Sequence, residues 1–212
     1  MTILNQISEA VQAGKKNDVA ILVQQAIDEG MPVQQVLDEG LIAGMGIIGE
    51  KFSRNEIFVP EMLIAARAMT AGTTLLRPLL IEEGIPAKGK AIISTVKGDV
   101  HDIGKNLVRM MLEGKGIEVV DLGVDIEPDV IVDHIKGDEA LQLVCLSSLL
   151  TTSMTVLEET VRRIDEAGLH DRVKILIGGA PVTQAFADKI GADAYAPDAA
   201  TGAEKAVDLL AG

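Results

Sequence analysis

The chain has 212 residues, 48% of them hydrophobic, enough for one large domain or two small ones with a core that needs no covalent staples. Nineteen Lys and Arg against 32 Asp and Glu leave a net charge of −13, which argues against broad binding to nucleic acid or anionic membranes, where concentrated positive charge is needed. One cysteine excludes an internal disulfide framework and a Cys-rich metal cluster. No secretion leader opens the chain and no apolar run reaches the ~18 residues of a membrane span, so a soluble cytoplasmic protein is the expectation. Aromatic residues are only 2%, so the core must be mostly Ile, Leu, Val, Ala and Met.

The first part reads as a bundle of about four helices. Leu4, Ile7 and Val11, then Val19, Leu22, Val23, Ala26 and Ile27, recur at helical spacing. Gly30 ends that helix, and Pro32 fits the first turn of the next, whose apolar face is Val33, Val36, Leu37, Leu41 and Ile42. Gln24–Gly30 (QQAIDEG) and Gln34–Gly40 (QQVLDEG) echo each other and read as two similar helix ends. Pro60 starts a helix running towards Leu76. Composition then changes at Gly84–Gly89, a linker that suggests domains at residues 1–87 and 88–212.

Beyond the linker, apolar strands alternate with helices. Strands are expected at Ala91–Val96, Ile117–Leu122, Leu143–Leu146, Val173–Ile177 and Ala192–Tyr195. Helices are expected at Ile103–Gly114, Pro128–Ile135, Thr155–Ala167, Val182–Ile190 and a last one reaching Leu210. Continuous apolar strands of this kind imply a parallel five-stranded sheet covered on both faces, with ligands beyond the carboxyl ends of the strands.

Two motifs stand out. Gly44-Met45-Gly46-Ile47-Ile48-Gly49 matches GxGxxG, but it lies among helices rather than in a βαβ unit, so close helix packing is the better reading. Lys97–Gly104 (KGDVHDIG) follows the first strand and opens the first helix of the α/β part. An imidazole there can ligate a metal through one ring nitrogen while Asp99 accepts a hydrogen bond from the other. A loop histidine capped by a local carboxylate is the competing reading. His134 and His170 read as surface or packing residues, Cys145 as a small buried hydrophobe, and Met62 and Met69 as core. Neither a phosphate-binding GxxxxGK[ST] loop nor an HExxH zinc motif is present.

Asp99-x-His101-x-x-Gly104 resembles the DxHxxG signature of cobalamin-binding domains. Ser147-Ser148-Leu149 after the third strand resembles their SxL motif, Gly178-Gly179 after the fourth their GG motif, and Tyr195–Ala199 a fourth block. Gly49–Phe52 and Glu56–Glu61 resemble the helical cap that covers the corrin ring in methionine synthase. The chain is similar over nearly its whole length to the small corrinoid proteins of methanogens and acetogens. The resemblance implies a helical bundle followed by a Rossmann-like (flavodoxin-like) cobalamin-binding domain. It makes His101 the lower cobalt ligand, in place of the cofactor's own base, with Asp99 and Ser153 completing a relay. Gly104, Ser147, Leu149, Gly178 and Gly179 would line a slot for the detached nucleotide tail, with Asp102, Ile103, Tyr195 and Asp198 nearby. Thr151 would lie near the corrin edge, where Thr152 replaces the proline of methionine synthase. Phe52, Phe58 and Val59 would guard the methyl face.

The function so implied is a methyl carrier. A donor-specific corrinoid methyltransferase, acting on a methylamine, betaine, methanol or methoxy-aromatic, would load Co(I) cobalamin. A second methyltransferase would pass the group from methylcobalamin to coenzyme M or tetrahydrofolate, and a reductive activase would rescue the Co(II) form. No nucleic acid and no membrane would be involved. A mutase subunit would need a catalytic barrel, and a cobalamin-dependent sensor would need an output domain. A plain flavodoxin-like protein would leave the motifs unexplained.

Overall fold

The computed structural model describes residues 2–84 and 87–211, so Ile85 and Pro86 of the expected linker lie outside the described residues. It divides into two compact units: Met1–Lys88 with Glu113–Gly116, and Gly89–Leu112 with Ile117–Gly212.

The first unit is helical. Helix α1 (Ile3–Gln12) is capped by the Thr2 hydroxyl, which accepts the Asn5 N–H, and buries Leu4, Ile7 and Val11. Helix α2 (Lys16–Asp28) buries Val19, Val23 and Ala26 and closes at Gly30 in the left-handed region, as expected of a C-terminal glycine. From Pro32 one continuous helical run follows: α3 (Val33–Gln35), a π-helical stretch (Val36–Ile42) and α4 (Ala43–Ser53). The second QQxxDEG copy therefore does not end a helix. Its Gly40 is buried against Ile7, where a Cβ would come within 3.0 Å of the Ile7 side chain, and the chain continues through it. The π-helical turn sets Val36 and Leu41 on one face at a spacing of five, which a 3.6-residue period does not show. Helix α5 (Val59–Glu82) starts with Pro60 in its first turn and the Phe58 N–H bonded to the Glu61 carboxylate, and passes through Pro78, further than Leu76.

The GxGxxG motif resolves into different local needs. A Cβ on Gly44 would lie 2.8 Å from the Ser8 carbonyl and 3.0 Å from Val11 Cβ, so α4 packs on α1 through this glycine. A Cβ on Gly46 would meet nothing within 4 Å.

The second unit is a five-stranded parallel sheet in the order β2-β1-β3-β4-β5. Its strands are β1 (Lys90–Val96), β2 (Glu118–Ile126), β3 (Leu143–Ser147), β4 (Lys174–Gly178) and β5 (Ala194–Ala196). The helices are α6 (Ile103–Gly114), α7 (Pro128–Gly137), α8 (Met154–Glu166), α9 (Gln184–Ile190) and α10 (Ala199–Ala211). β2 runs four residues beyond the expected Leu122, because Gly123 and Asp125 take positive φ and the pairing with β1 shifts register there. On one face of the sheet Ile92, Val96, Val144, Ile175 and Ile177 pack with Ile131, Ile135, Leu157, Val161 and Ile164 of α7 and α8. The strand order reverses direction between β1 and β3, and in open α/β sheets the crevice at such a switch point receives ligands.

His170 ties elements together below the sheet. Its Nδ1 meets the Asp165 carboxylate and its Nε2 the Asp193 carboxylate at 3.0 Å, and Asp193 also takes the Lys174 ammonium and the Ile175 N–H. Burial lowers the His170 pKa, but the two carboxylates outweigh it and the net shift is upward.

Two outcomes follow from these contacts. Gly44→Ala should destabilise the helical unit by about 1–3 kcal/mol through overpacking, whereas Gly46→Ala should stabilise it by ~0.5–1 kcal/mol, both read by urea denaturation. A histidine with a raised folded pKa stabilises fully below its unfolded pKa and loses that contribution as pH climbs through the folded value. Denaturation midpoints should therefore decline as pH rises above the ordinary histidine range, and this decline should flatten in His170→Gln.

Candidate functional site

β1 ends at Val96, and the chain turns through Gly98, which takes φ +82°. Asp99 follows, with 0% exposure. One carboxylate oxygen, Oδ1, accepts the His101 N–H at 3.0 Å and faces His101 Nδ1 at 2.6 Å. The other, Oδ2, accepts the amides of Leu149 (2.5 Å) and Leu150 (3.2 Å) and the Ser153 hydroxyl (3.3 Å). Ser148 Oγ lies 2.7 Å from Ser153 Oγ and extends the network. Burial pushes the Asp99 carboxyl up, but the amides of His101 and Leu149 and the imidazole overcome this and hold it at about 2. The backbone joins a third strand end, since Asp99 C=O accepts the Asp125 N–H at 3.0 Å.

This geometry fixes the histidine. A carboxylate only accepts, so Nδ1 carries the proton and the Nε2 lone pair is left outward. The ring is half exposed (48%), and the Thr95 hydroxyl holds its backbone carbonyl at 2.8 Å. The chain flanking His101 and the loop after β3 that binds Asp99 expose three apolar side chains: Val100 (70%), Ile103 (75%) and Leu150 (39%). Among the described residues no three His, Cys, Asp or Glu side chains converge on a metal site. His101 thus offers a metal one nitrogen on an apolar platform.

Beside the platform is a cavity of about 300 Å³, between the β1-β3-β4 face and helices α6 and α10. Gly104, Ser147, Leu149, Gly178, Gly179 and Asp198, all expected at the site, line it. Leu149 joins the two features, because its amide holds Asp99 while the residue lines the cavity.

A B12 binding domain model matches residues 89–207, and a second B12 binding domain model matches residues 3–77. The chain belongs to the B12-binding family of corrinoid proteins. It is 40% identical to the dimethylamine corrinoid protein of Methanosarcina barkeri over 99% of this chain and 98% of that one. Among solved structures it is similar to the methanol:cobalamin methyltransferase complex MtaBC from Methanosarcina barkeri, with a TM-score of 0.89 and 28% identity over 99% of this chain and 80% of that one. It is also similar to a cobalamin-binding protein from Desulfitobacterium hafniense, with a TM-score of 0.78 and 30% identity over 97% and 98% of the two chains.

The site of this corrinoid protein fits the cofactor on its own geometry. A corrin brings four nitrogen donors to its cobalt, so a single carboxylate-backed imidazole is a suitable protein ligand. The exposed Val100, Ile103 and Leu150 offer a flat ring an apolar seat, and the cavity offers its tail a slot. At Gly104 a Cβ would meet nothing within 4 Å, so the room there is real.

The remaining expected residues are distributed as follows. Asp102 is exposed and accepts the Asn106 side-chain amide at 3.2 Å. Thr151 is exposed on the loop between Leu149 and Ser153. Tyr195 packs against the hydrophobic cluster on the opposite sheet face, and Ala196, Pro197 and Asp198 line the cavity in its place. In the helical unit Phe52 and Val59 are half-buried, and Phe58 is 67% exposed rather than in the bundle core.

Several lining residues had no signal in the sequence. Ile93, Leu107, Val108, Cys145 and Leu176 look like any other core position. Lys105 could have been singled out as a charge beside Gly104. It is 3% exposed, and its ammonium donates to both oxygens of Asp121 at 2.6 Å and to the Asn106 side-chain Oδ1 at 2.8 Å.

The slot glycines differ in purpose. At Gly179, with φ +132°, a Cβ would fall 1.8 Å from the Ser148 carbonyl, so the protein's own loop demands glycine there. Gly179→Ala should cost about 3 kcal/mol or more by thermal denaturation. Gly104→Val should leave the melting temperature of the apo protein within a few degrees and abolish retention of cobalamin on gel filtration.

Proposed function

We propose that the chain is a cytoplasmic methyl carrier: a corrinoid subunit visited by a donor-specific methyltransferase and then by a second methyltransferase that uses coenzyme M or tetrahydrofolate. The observation that carries this reading is the Asp99–His101 pair. It is held by Leu149, Leu150 and Ser153 with Nε2 presented outward beside a glycine-lined slot. When bound, the corrinoid supplies the cobalt that carries the methyl group, and the chemistry is the cofactor's own.

The chain's residues do the holding. His101 Nε2 would be the nitrogen that the protein offers to the cobalt. Asp99 fixes the tautomer and raises the basicity of the ring, and Ser153 with the two loop amides keeps that carboxylate in place. The slot between α6, α10 and the sheet takes the tail. Phe52, Phe58 and Val59 are assigned to guarding the methyl group. The resemblance supports this role, as does an aromatic ring that stands two-thirds exposed at Phe58.

The donor assigned by this reading is a methylamine, supported by relatives such as the dimethylamine corrinoid protein at 40% identity. The partner enzyme is supported by the likeness to a chain in the methanol:cobalamin methyltransferase complex. A reductive activase completes the partners. Among the described residues no helix is long and apolar enough to cross a membrane, which suits a diffusing carrier.

Electron spin resonance of the cobalamin-loaded chain in its Co(II) form tests the assignment. Nitrogen-15 in the protein should change the hyperfine splitting, whereas nitrogen-15 in the cofactor's own base should not. His101→Ala should lose that signature and shift the Co(II)/Co(I) potential, while affinity falls by about tenfold because the slot contacts persist. Splitting from the cofactor's base in the wild type would overturn the ligand assignment.

A further inference from the structure

The cavity floor differs chemically from its mouth. Gly104, Leu149, Gly179 and Asp198 stand at the carboxyl edge of the sheet. Further in, Ser147 lies opposite Gly178, and its hydroxyl has no hydrogen-bond partner among the described residues. Two residues deeper along the strands, Ile93, Cys145 and Leu176 form a row, Ile93 opposite Cys145 and Cys145 opposite Leu176. Their exposures are 2%, 3% and 3%. Leu107 and Val108 of α6 line the cavity as well.

No strong hydrogen-bonding group is available at that depth. β1, β3 and β4 each have a neighbouring strand on both sides, so their amides and carbonyls are committed to the sheet. The Lys105 ammonium has three N–H groups and spends them on Asp121 and Asn106. Burial pushes the Cys145 thiol up to about 12, so it stays a neutral, weak donor.

On the reading that this slot takes the nucleotide tail of a corrinoid, we propose that its floor selects the lower base by chemical class, taking benzimidazoles and rejecting purines. Both classes carry a nitrogen in the five-membered ring, within the chemistry of the Ser147 hydroxyl. They differ in the six-membered ring that leads into the slot. In a benzimidazole it is carbocyclic and buries hydrocarbon against Ile93, Cys145 and Leu176. In adenine it carries ring nitrogens and an exocyclic amine, which would leave water and find no partner. Each such atom carries a desolvation cost.

The test titrates the apo chain with a benzimidazolyl cobamide, an adeninyl cobamide and cobinamide, which lacks a base. Visible spectra and cobalt retained on gel filtration report binding. The benzimidazolyl form should bind at least about tenfold more tightly than the adeninyl form, and the adeninyl form should approach cobinamide. Equal affinities for the two cobamides would overturn base selection and leave the carrier reading standing. Failure of all three to bind would overturn that reading and the inference with it. Cys145→Ser places a hydroxyl on the floor at nearly constant size and should bring the ratio towards one. An unchanged ratio in a variant with native circular dichroism would remove the floor as its source. If the variant does not fold, the wild-type ratio decides alone.

Discussion

The site depends on one buried carboxylate. Asp99 is fully enclosed, and an uncompensated charge there would cost several kcal/mol. Five donors satisfy it: the His101 amide and ring, the Leu149 and Leu150 amides and the Ser153 hydroxyl. Only one of the five is the imidazole. The other four are neutral groups fixed by backbone or by a buried side chain, so the charge stays satisfied whatever the outer nitrogen of His101 binds. The same contacts tie the loop after β1 to the loop after β3, and the Asp99 carbonyl ties in the end of β2. An asparagine would turn a donor towards donors already in place. Asp99→Asn keeps the shape of the side chain but not its hydrogen bonding, so its effect would reach the fold as well as the histidine.

The sheet is treated differently on its two faces. Beneath α7 and α8 the branched residues close into a continuous core. Beneath α6 and α10, Gly104, Gly178, Ala196, Ala199 and Gly202 leave about 300 Å³ open. An enclosed void of that size would cost about 7 kcal/mol at ~24 cal/mol per Å³. The opening at the strand ends makes this an upper bound. Filling the slot returns the missing contacts, so cofactor binding and stability of this unit are coupled.

How much was legible in the sequence varied with the kind of residue. The α6 bounds, Ile103–Gly114, coincide with those expected from periodicity, because an amphipathic helix carries its signal in one short window. The π-helical turn was invisible, since one extra residue per turn breaks the 3.6 period and Gly40 looks like a helix end. The polar centre was legible because Asp99, His101 and Gly104 sit within six residues and carry chemistry that a loop does not otherwise need. The place of Ser153 required a likeness to known proteins, for 54 residues separate it from Asp99.

The slot was harder to read, for a reason of geometry rather than chemistry. Along a strand the side-chain period is two, so Ile92 enters the closed core while its neighbour Ile93 lines the cavity. Nothing in the two isoleucines distinguishes them. Only the pairing of Ile93 with Cys145, and of Cys145 with Leu176, makes a floor out of residues from three separate strands. Tyr195 shows the same rule from the other side. The resemblance of Tyr195–Ala199 to a family block put it near the slot, yet its place in β5 turns it into the opposite core and gives the cavity to Ala196. Composition names the residues that can build an apolar slot. Strand register decides which of them do, and register is a property of the whole sheet, so no single segment announces it.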